Sequence, residues 1–487
     1  MTGADTPFER VLQPRRQSRD EPGRPHVPGL KRWQLSTPQK ASALFRSRGY
    51  ALLLVLAAVF GVPVSAASYL FLVAANKLQK WLYTMLPGQL GFHGVPAWWP
   101  FPLLLLGGLA VAAAIKYLPG TGGHKPADGL KVGGLASARE LPGIAVAALI
   151  TLGTGAVLGP EAPLIALGGG LCAWAVRHAV KGDTNQAVVV LGAAGSFAAI
   201  STLLGSPLVG AFLLMEAAGL SSAMLELVLL PGLLAAGVGA LVFTGLGHWT
   251  GLGTFSLALP GLPHIGRPSI AEFGWAILVG LAAAVIIAAI RRLALRVRRP
   301  AERWIMIATP VAGLVVAGLA VLFSQVSGHN VKYVLFSGQN ELSPLFANRA
   351  AFGIGALFLL LACKGLAYSV SLATFRGGPV FPSIFLGAAF GLLLGQVPGL
   401  SVVAAMGMGI GAFTAAMLRL PLTAALLAAL LLSADAASLT PLAIVSVVVA
   451  YVASEHLDPR IAAQTASAPP AAAAPTAAPP AAPPAAP

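Results

Sequence analysis

Between residues 50 and 456 this chain is a succession of apolar runs, many long enough to cross a bilayer, with little polar sequence between them. Bilayer hydrocarbon holds no water to bond a peptide group, so a spanning segment must be a helix or part of a closed barrel. Unbroken runs of about 18 or more apolar residues read as helices. Only 10% of the 487 residues are charged and 57% are hydrophobic, a balance no soluble domain of this size needs. The chain is therefore expected to be an all-α polytopic membrane protein. Apolar helices are expected at 50–83, 98–118, 187–204, 226–245, 271–290, 304–324, 351–375, 402–418, 421–433 and 440–456.

Residues 141–180 hold the stretch that departs from this plainness, Gly153-Thr-Gly-Ala-Val-Leu-Gly-Pro-Glu161-Ala-Pro-Leu-Ile-Ala-Leu-Gly168. Glu161 is its only charge, and Pro160 and Pro163 flank it. Proline suits the first turn of a helix, so a helix start is expected here. Its free N–H groups and the positive end of its dipole would open at membrane depth beside a carboxylate. Such a start is tolerated only where it is buried in protein or lines a cavity. It makes an anion site, with Glu161 as a tethered anion able to fill it. A glutamate that merely caps the helix is the plainer alternative, but an intramembrane carboxylate is by default a functional candidate.

The second half carries a matching stretch. Gly159-Pro-Glu-Ala-Pro163 is followed five residues later by Gly168, and Gly378-Pro-Val-Phe-Pro382 five residues later by Gly387. Pro207-Leu-Val-Gly-Ala-Phe and Pro421-Leu-Thr-Ala-Ala-Leu follow in the same order. Interrupted apolar segments at corresponding places in two halves point to a binding site at the interface between repeats. Two helix starts would converge there, one with a carboxylate and one bare. That asymmetry favours a permeating anion over a cation.

The flanks are of another kind. Residues 1–48 are polar and rich in Arg and Pro, and read as a disordered arm; residues 461–487 are almost only Ala, Pro, Thr and Ser, too poor in apolar side chains to bury a core. No cytoplasmic regulatory domain fits after residue 460. The net charge of +15 sits mainly in the arm and in the run from Arg291 to Arg303. Both should be cytoplasmic by the positive-inside rule, and neither indicates nucleic acid. Cys172 and Cys363 lie in apolar sequence and imply no disulfide. No His/Cys ligand spacing and no phosphate-binding glycine loop is present, so no metal or cofactor is expected.

Over residues 50–456 the sequence resembles the CLC family of chloride channels and proton/chloride exchangers. Gly159-Pro-Glu161-Ala-Pro163 looks like the family's G-[RK]-E-G-P segment, whose glutamate is the external gate. Gly378-Pro-Val-Phe381-Pro382 is similar to its G-x-F-x-P segment, whose backbone amides bind chloride. Ser206 through Glu216 and Arg419-Leu-Pro-Leu-Thr423 resemble two further family segments. The resemblance implies a homodimer with one anion pathway in each subunit. It also implies a multi-pass domain over 49–460, with inverted repeats at about 50–250 and 270–456 built on broken and re-entrant helices. On this basis Glu161 is the gate, and the amides of Glu161, Ala162, Val380 and Phe381 are anion donors.

The departures from the family are specific. Its G-S-G-I-P loop, whose serine touches the central anion, is replaced by Gly120-Thr-Gly-Gly-His-Lys-Pro126, with Thr121 the nearest hydroxyl. Tyr451 lies in the region of the family's central tyrosine, in surroundings that do not align. Exchangers often carry a second glutamate as internal proton acceptor; that position is Ala217, one residue after Glu216. Glu216 could line a water or proton path, although capping a helix end is the stronger expectation. Lys364, inside an apolar run, could draw anions from a vestibule or snorkel to the inner surface. His124 and Lys125 would raise anion concentration at a pore mouth.

The expected function is transport of chloride or a similar small anion, either as a passive voltage-gated-type channel or in exchange for protons. The expected place is the plasma membrane of a bacterium, with the N-terminus cytoplasmic. An inverted-repeat secondary transporter of another substrate is the nearest alternative. An intramembrane enzyme using Ser196 as nucleophile and His178 as base is the remote one.

Overall fold

The structure, a computed structural model of the chain, describes residues 47–130, 134–179, 185–218, 222–250, 268–432 and 436–457. The expected arm, except its last two residues, and the expected tail lie outside the described residues. Helix α1 spans Arg48–Lys80 and continues through a π-helical turn to Gln89. It is followed by α2 (Pro100–Tyr117), α3 (Leu141–Thr154), α4 (Glu161–Ala179), α5 (Asn185–Leu204), α6 (Pro207–Ala218) and α7 (Ser222–Thr250). The second half gives α8 (Ile270–Arg303), α9 (Ile305–Ser327), the short α10 (Leu342–Ala347), α11 (Ile354–Thr374) and α12 (Val380–Leu394). It ends with α13 (Val402–Leu418), α14 (Pro421–Leu432) and α15 (Ala436–Leu457).

Eight of the described helices are long and apolar enough to cross a membrane, whereas α3, α6, α12, α13 and α14 are equally apolar but only 12–17 residues long. The short ones stop where the sequence places Gly and Pro. Gly155 closes α3 with φ 108°, a conformation only glycine adopts freely, and the next helix begins at Glu161, directly after Pro160. α6 and α14 begin at Pro207 and Pro421, as their proline positions predict.

The packing repeats between halves. α4 lies on α5 as α12 lies on α13, α1 on α7 as α8 on α15, and α5 on α7 as α13 on α15. The pairs α2–α9 and α6–α14 join one half to the other. At the junction, Gly159 and Gly378 form an antiparallel bridge, the pairing expected of two segments related by a two-fold axis. The fold is therefore an all-α inverted repeat with broken helices.

Small residues let the site helices come close. An ideal Cβ on Gly168 of α4 would lie 2.5 Å from the Gly195 carbonyl oxygen of α5. In the other half, one on Gly387 of α12 would lie 2.3 Å from the Gly409 carbonyl oxygen of α13. Between transmembrane helices there is no hydrophobic gain in meeting, so backbone contact at glycine is what holds such pairs. Nearly all of α13 is buried, while Leu52, Val55 and Val59 of α1 and Leu278 and Val285 of α8 stay exposed, as lipid-facing surfaces do. Gly387→Ala should destabilise the fold by about 1–3 kcal/mol through overpacking. Gly318→Ala on α9, where an added Cβ meets nothing within 4 Å, should change stability by no more than about 0.5 kcal/mol. Thermal unfolding of both variants in detergent checks the contrast.

Candidate functional site

Two breaks in the helical ladder meet at the centre of the bundle, the first between α3 and α4 and the second between α11 and α12. Peptide groups freed by such breaks must be bonded within the protein. Gly159 N–H donates to the Gly378 carbonyl at 2.8 Å, and Gly378 N–H donates back to the Gly159 carbonyl at 2.6 Å. The Val157 N–H donates to Ser371 Oγ at 3.1 Å. The Thr154 carbonyl accepts from Tyr83 Oη at 2.7 Å, and the Gly155 carbonyl accepts from the Phe336 N–H at 3.1 Å. On the other side, the Pro379 carbonyl accepts from Tyr368 Oη at 2.7 Å.

Ser371 and Tyr368 both stand on α11, three residues apart and fully buried, so one helix face holds both breaks. Sequence reasoning missed these two residues. The available signal was a hydroxyl pair at i, i+3 inside a largely apolar span, where polar side chains need partners.

Glu161 opens α4 and is wholly buried. Its Oε1 accepts from the Phe381 N–H at 2.7 Å, while Oε2 has no hydrogen-bond partner among the described residues. The N–H groups of Val380 and of Glu161 itself are also within electrostatic reach of the carboxylate. The carboxylate rests on two glycines. An ideal Cβ on Gly378 would lie 1.8 Å from Oε2, and one on Gly159 2.3 Å from both oxygens. Ala162 is close by, its nitrogen 3.1 Å from that same Gly378 Cβ position. Glu161, Ala162, Val380 and Phe381, expected together from sequence, are thus brought together, with a carboxylate already on a second-half amide. The two prolines before the helix starts donate nothing, which leaves these amides as the available donors.

Other expected residues lie elsewhere. Thr121 is exposed, in a left-handed conformation (φ 49°), and its carbonyl accepts from Arg376 Nε at 3.1 Å. Its hydroxyl bonds no described residue. Tyr451 is half-buried on α15 without a hydrogen-bond partner among the described residues; the tyrosines that touch the breaks are Tyr83 at the first and Tyr368 at the second. Both oxygens of Glu216 are engaged at the start of α14. They accept from the N–H groups of Leu422 (2.9 Å) and Thr423 (2.8 Å) and from Thr423 Oγ1 (2.7 Å). This is the helix-capping role, and it ties α6 to its repeat partner α14.

Lys364 corrects both of its expected readings, since it neither opens on a vestibule nor snorkels. It is fully buried, and its ammonium donates to the carbonyls of Tyr333, Val334, Leu335 and Phe336 at 2.9–3.3 Å, above the Phe385 ring. The loop after α9 folds its carbonyl groups inward over the lysine, and that arrangement satisfies all of its protons. At the α8 end, Lys125 pairs with Glu302 at 2.8 Å, and His124 bonds the Gly129 carbonyl.

The enzyme alternative finds no support in geometry. Ser196 donates to the Ile165 carbonyl at 3.0 Å between α4 and α5, whereas His178 is exposed and bonds Trp174. No cluster of metal-ligating side chains occurs among the described residues.

Known proteins share this fold. "Putative ion-transport protein YfeO" of Escherichia coli strain 55989 is 31% identical over 356 residues, covering 72% of this chain and 80% of that protein. The protein of the same name in Escherichia fergusonii is 29% identical over 358 residues, with the same coverage. Among solved structures, a slow cyanobacterial Cl-/H+ antiporter superposes with a TM-score of 0.69 at 20% identity, covering 85% of this chain and 98% of that one. A CLC-type fluoride/proton antiporter gives 0.61 at 19% identity, covering 84% and 96%. Both structural likenesses concern the fold. The sequence model of the voltage gated chloride channel family matches residues 107–455, which include both breaks and the helices around them, so the chain belongs to that family.

Proposed function

We propose that this protein passes chloride, or a similar small inorganic anion, across a bacterial plasma membrane through one pathway in each subunit of a homodimer, and that Glu161 gates each pathway. The observation that carries the reading is the 2.7 Å hydrogen bond from the Phe381 N–H to Glu161 Oε1. A backbone donor at a membrane-buried helix start already holds an anion, and that anion is tethered. When the carboxylate leaves, the amides near Val380, Phe381, Glu161 and Ala162 replace the water shell of a free ion. Neutral donors suit conduction, because they bind firmly enough to admit an ion and weakly enough to release it. Leu208, Leu241, Leu422 and Val448, exposed on α6, α7, α14 and α15, supply an apolar surface for a second subunit. The arginine-rich end of α8 supports a cytoplasmic position for that end, by the positive-inside rule.

Proton-coupled exchange is the second reading, favoured by the antiporters among the structurally similar proteins. Against it stand Ala217 at the expected acceptor position and the three hydrogen bonds that occupy Glu216. A chloride gradient across sealed vesicles containing the protein is therefore expected to drive no stoichiometric proton movement. Uphill proton transport at a fixed ratio to chloride would reverse that assignment.

An ionised Glu161 fills the site and a protonated one vacates it, so external acid should increase anion flux. Glu161→Gln cannot ionise. It should conduct chloride with flux nearly independent of external pH, whereas Glu161→Asp should close less firmly and keep a pH response. Flux through Glu161→Gln with the parent's full pH response would assign gating to another group.

Gly378→Ala drives a methyl group into the space of Oε2 and should destabilise the protein by about 1–3 kcal/mol. Shortening the other partner relieves the clash, so in a Glu161→Ala background the cost should fall to less than half. Equal costs in the two backgrounds, measured by thermal unfolding in a double-mutant cycle, would place the carboxylate away from Gly378.

A further inference from the structure

Arg376 precedes Gly377-Gly378 at the second break and has no part in the gating described above. It is only 5% exposed. Its Nε donates to the Thr121 carbonyl at 3.1 Å, and its Nη1 donates to the Phe375 carbonyl at 3.2 Å. Nη2 bonds no described residue and is not sealed from solvent. The side-chain stem packs on Gly122, where an ideal Cβ would lie 3.1 Å from Arg376 Cγ. A guanidinium is thus fixed between the Thr121 turn of the first half and the helix start of the second.

The charges around it are unequal. Arg298 pairs with Asp128 and with Glu302, and Lys125 pairs with Glu302. Glu302 and Arg298 act on Arg376 through space, but no carboxylate among the described residues is in contact with it. Three cations and two carboxylates leave one positive charge in excess, and Arg376 is the cation without an ion pair among the described residues. A buried guanidinium whose bonds go only to neutral carbonyls keeps its charge available to an anion, and its planar donor fork leaves one nitrogen to present.

We infer that Arg376 is a charged anion-recruiting residue at the α8 end of the pathway, holding a small inorganic anion on Nη2 before it reaches the amides of α12. The inference rests on the anion pathway proposed above and adds a residue to it. A unit charge about 4 Å from an ion, screened by water at a dielectric constant of about 80, changes occupancy roughly sixfold.

The test is chloride flux into proteoliposomes as a function of chloride concentration. Arg376→Gln should raise the half-saturating concentration about three- to tenfold while leaving the response to external acid in place, and Arg376→Lys should recover most of the loss. An unchanged half-saturating concentration in Arg376→Gln overturns the inference. If Arg376→Gln does not fold, Thr121→Cys decides with Arg376 intact. Modification of that exposed position by a sulfonate thiosulfonate reagent should lower flux, and a trimethylammonium reagent of similar size should not; the parent, whose Cys172 and Cys363 are buried, is treated in parallel. Equal effects of the two reagents overturn the inference. A parent protein that carries no anion at all would instead sink the proposed function.

Discussion

A helix broken inside a membrane bares N–H and C=O groups that no solvent reaches, and each must find a partner within the protein. Here two breaks largely serve each other. The paired hydrogen bonds between Gly159 and Gly378 take up four such groups at once and fix the breaks in register. Both positions are glycine because the Glu161 carboxylate occupies the space a Cβ would take, and side-chain hydroxyls from α11 reach the neighbouring peptides. With those groups satisfied, the helix-start amides beyond them remain as the donors that face the Glu161 carboxylate.

The same logic explains the protein's few buried charges. Glu161, Lys364 and Arg376 are buried and Glu216 is partly buried, and their hydrogen bonds go chiefly to backbone groups. The backbone groups they bond lie at helix termini or in loops, where peptide dipoles are not used up by the helical ladder. Here these charges meet backbone groups left out of the helical ladder, each relieving the cost of the other.

Much of this could be read from the chain before any coordinates. Composition alone established the membrane class. Proline at positions 160, 207 and 421 marked helix starts at or beside the right residue, and the glycine spacing to Gly168 and Gly387 revealed the repeat. The grouping of Glu161 with Val380 and Phe381 followed from those starts. Partner choice across the fold was not legible. Ser371 lies 214 residues from Val157, and Thr423 lies 207 from Glu216, separations at which no local pattern predicts a contact. The inward-turned carbonyls over Lys364 and the left-handed turn at Thr121 depend on tertiary packing, so the buried cradle of the lysine and the bond from Arg376 to the Thr121 carbonyl could not be read from sequence.

The Gly159–Gly378 bridge also bears on how such a chain arises. Each half supplies one strand of the bridge and one glycine-backed helix pair, so the contact would form equally well between two copies of a half-length ancestor inserted in opposite orientations. Two identical halves would bring two glutamates, or none, to the axis. Two would repel at close range with too few amides between them, and none would leave no tethered ion. Fusion into one reading frame removes that restriction, since each half can then mutate alone. Glu161 opposite Val380 is an inequality that two identical halves could not hold.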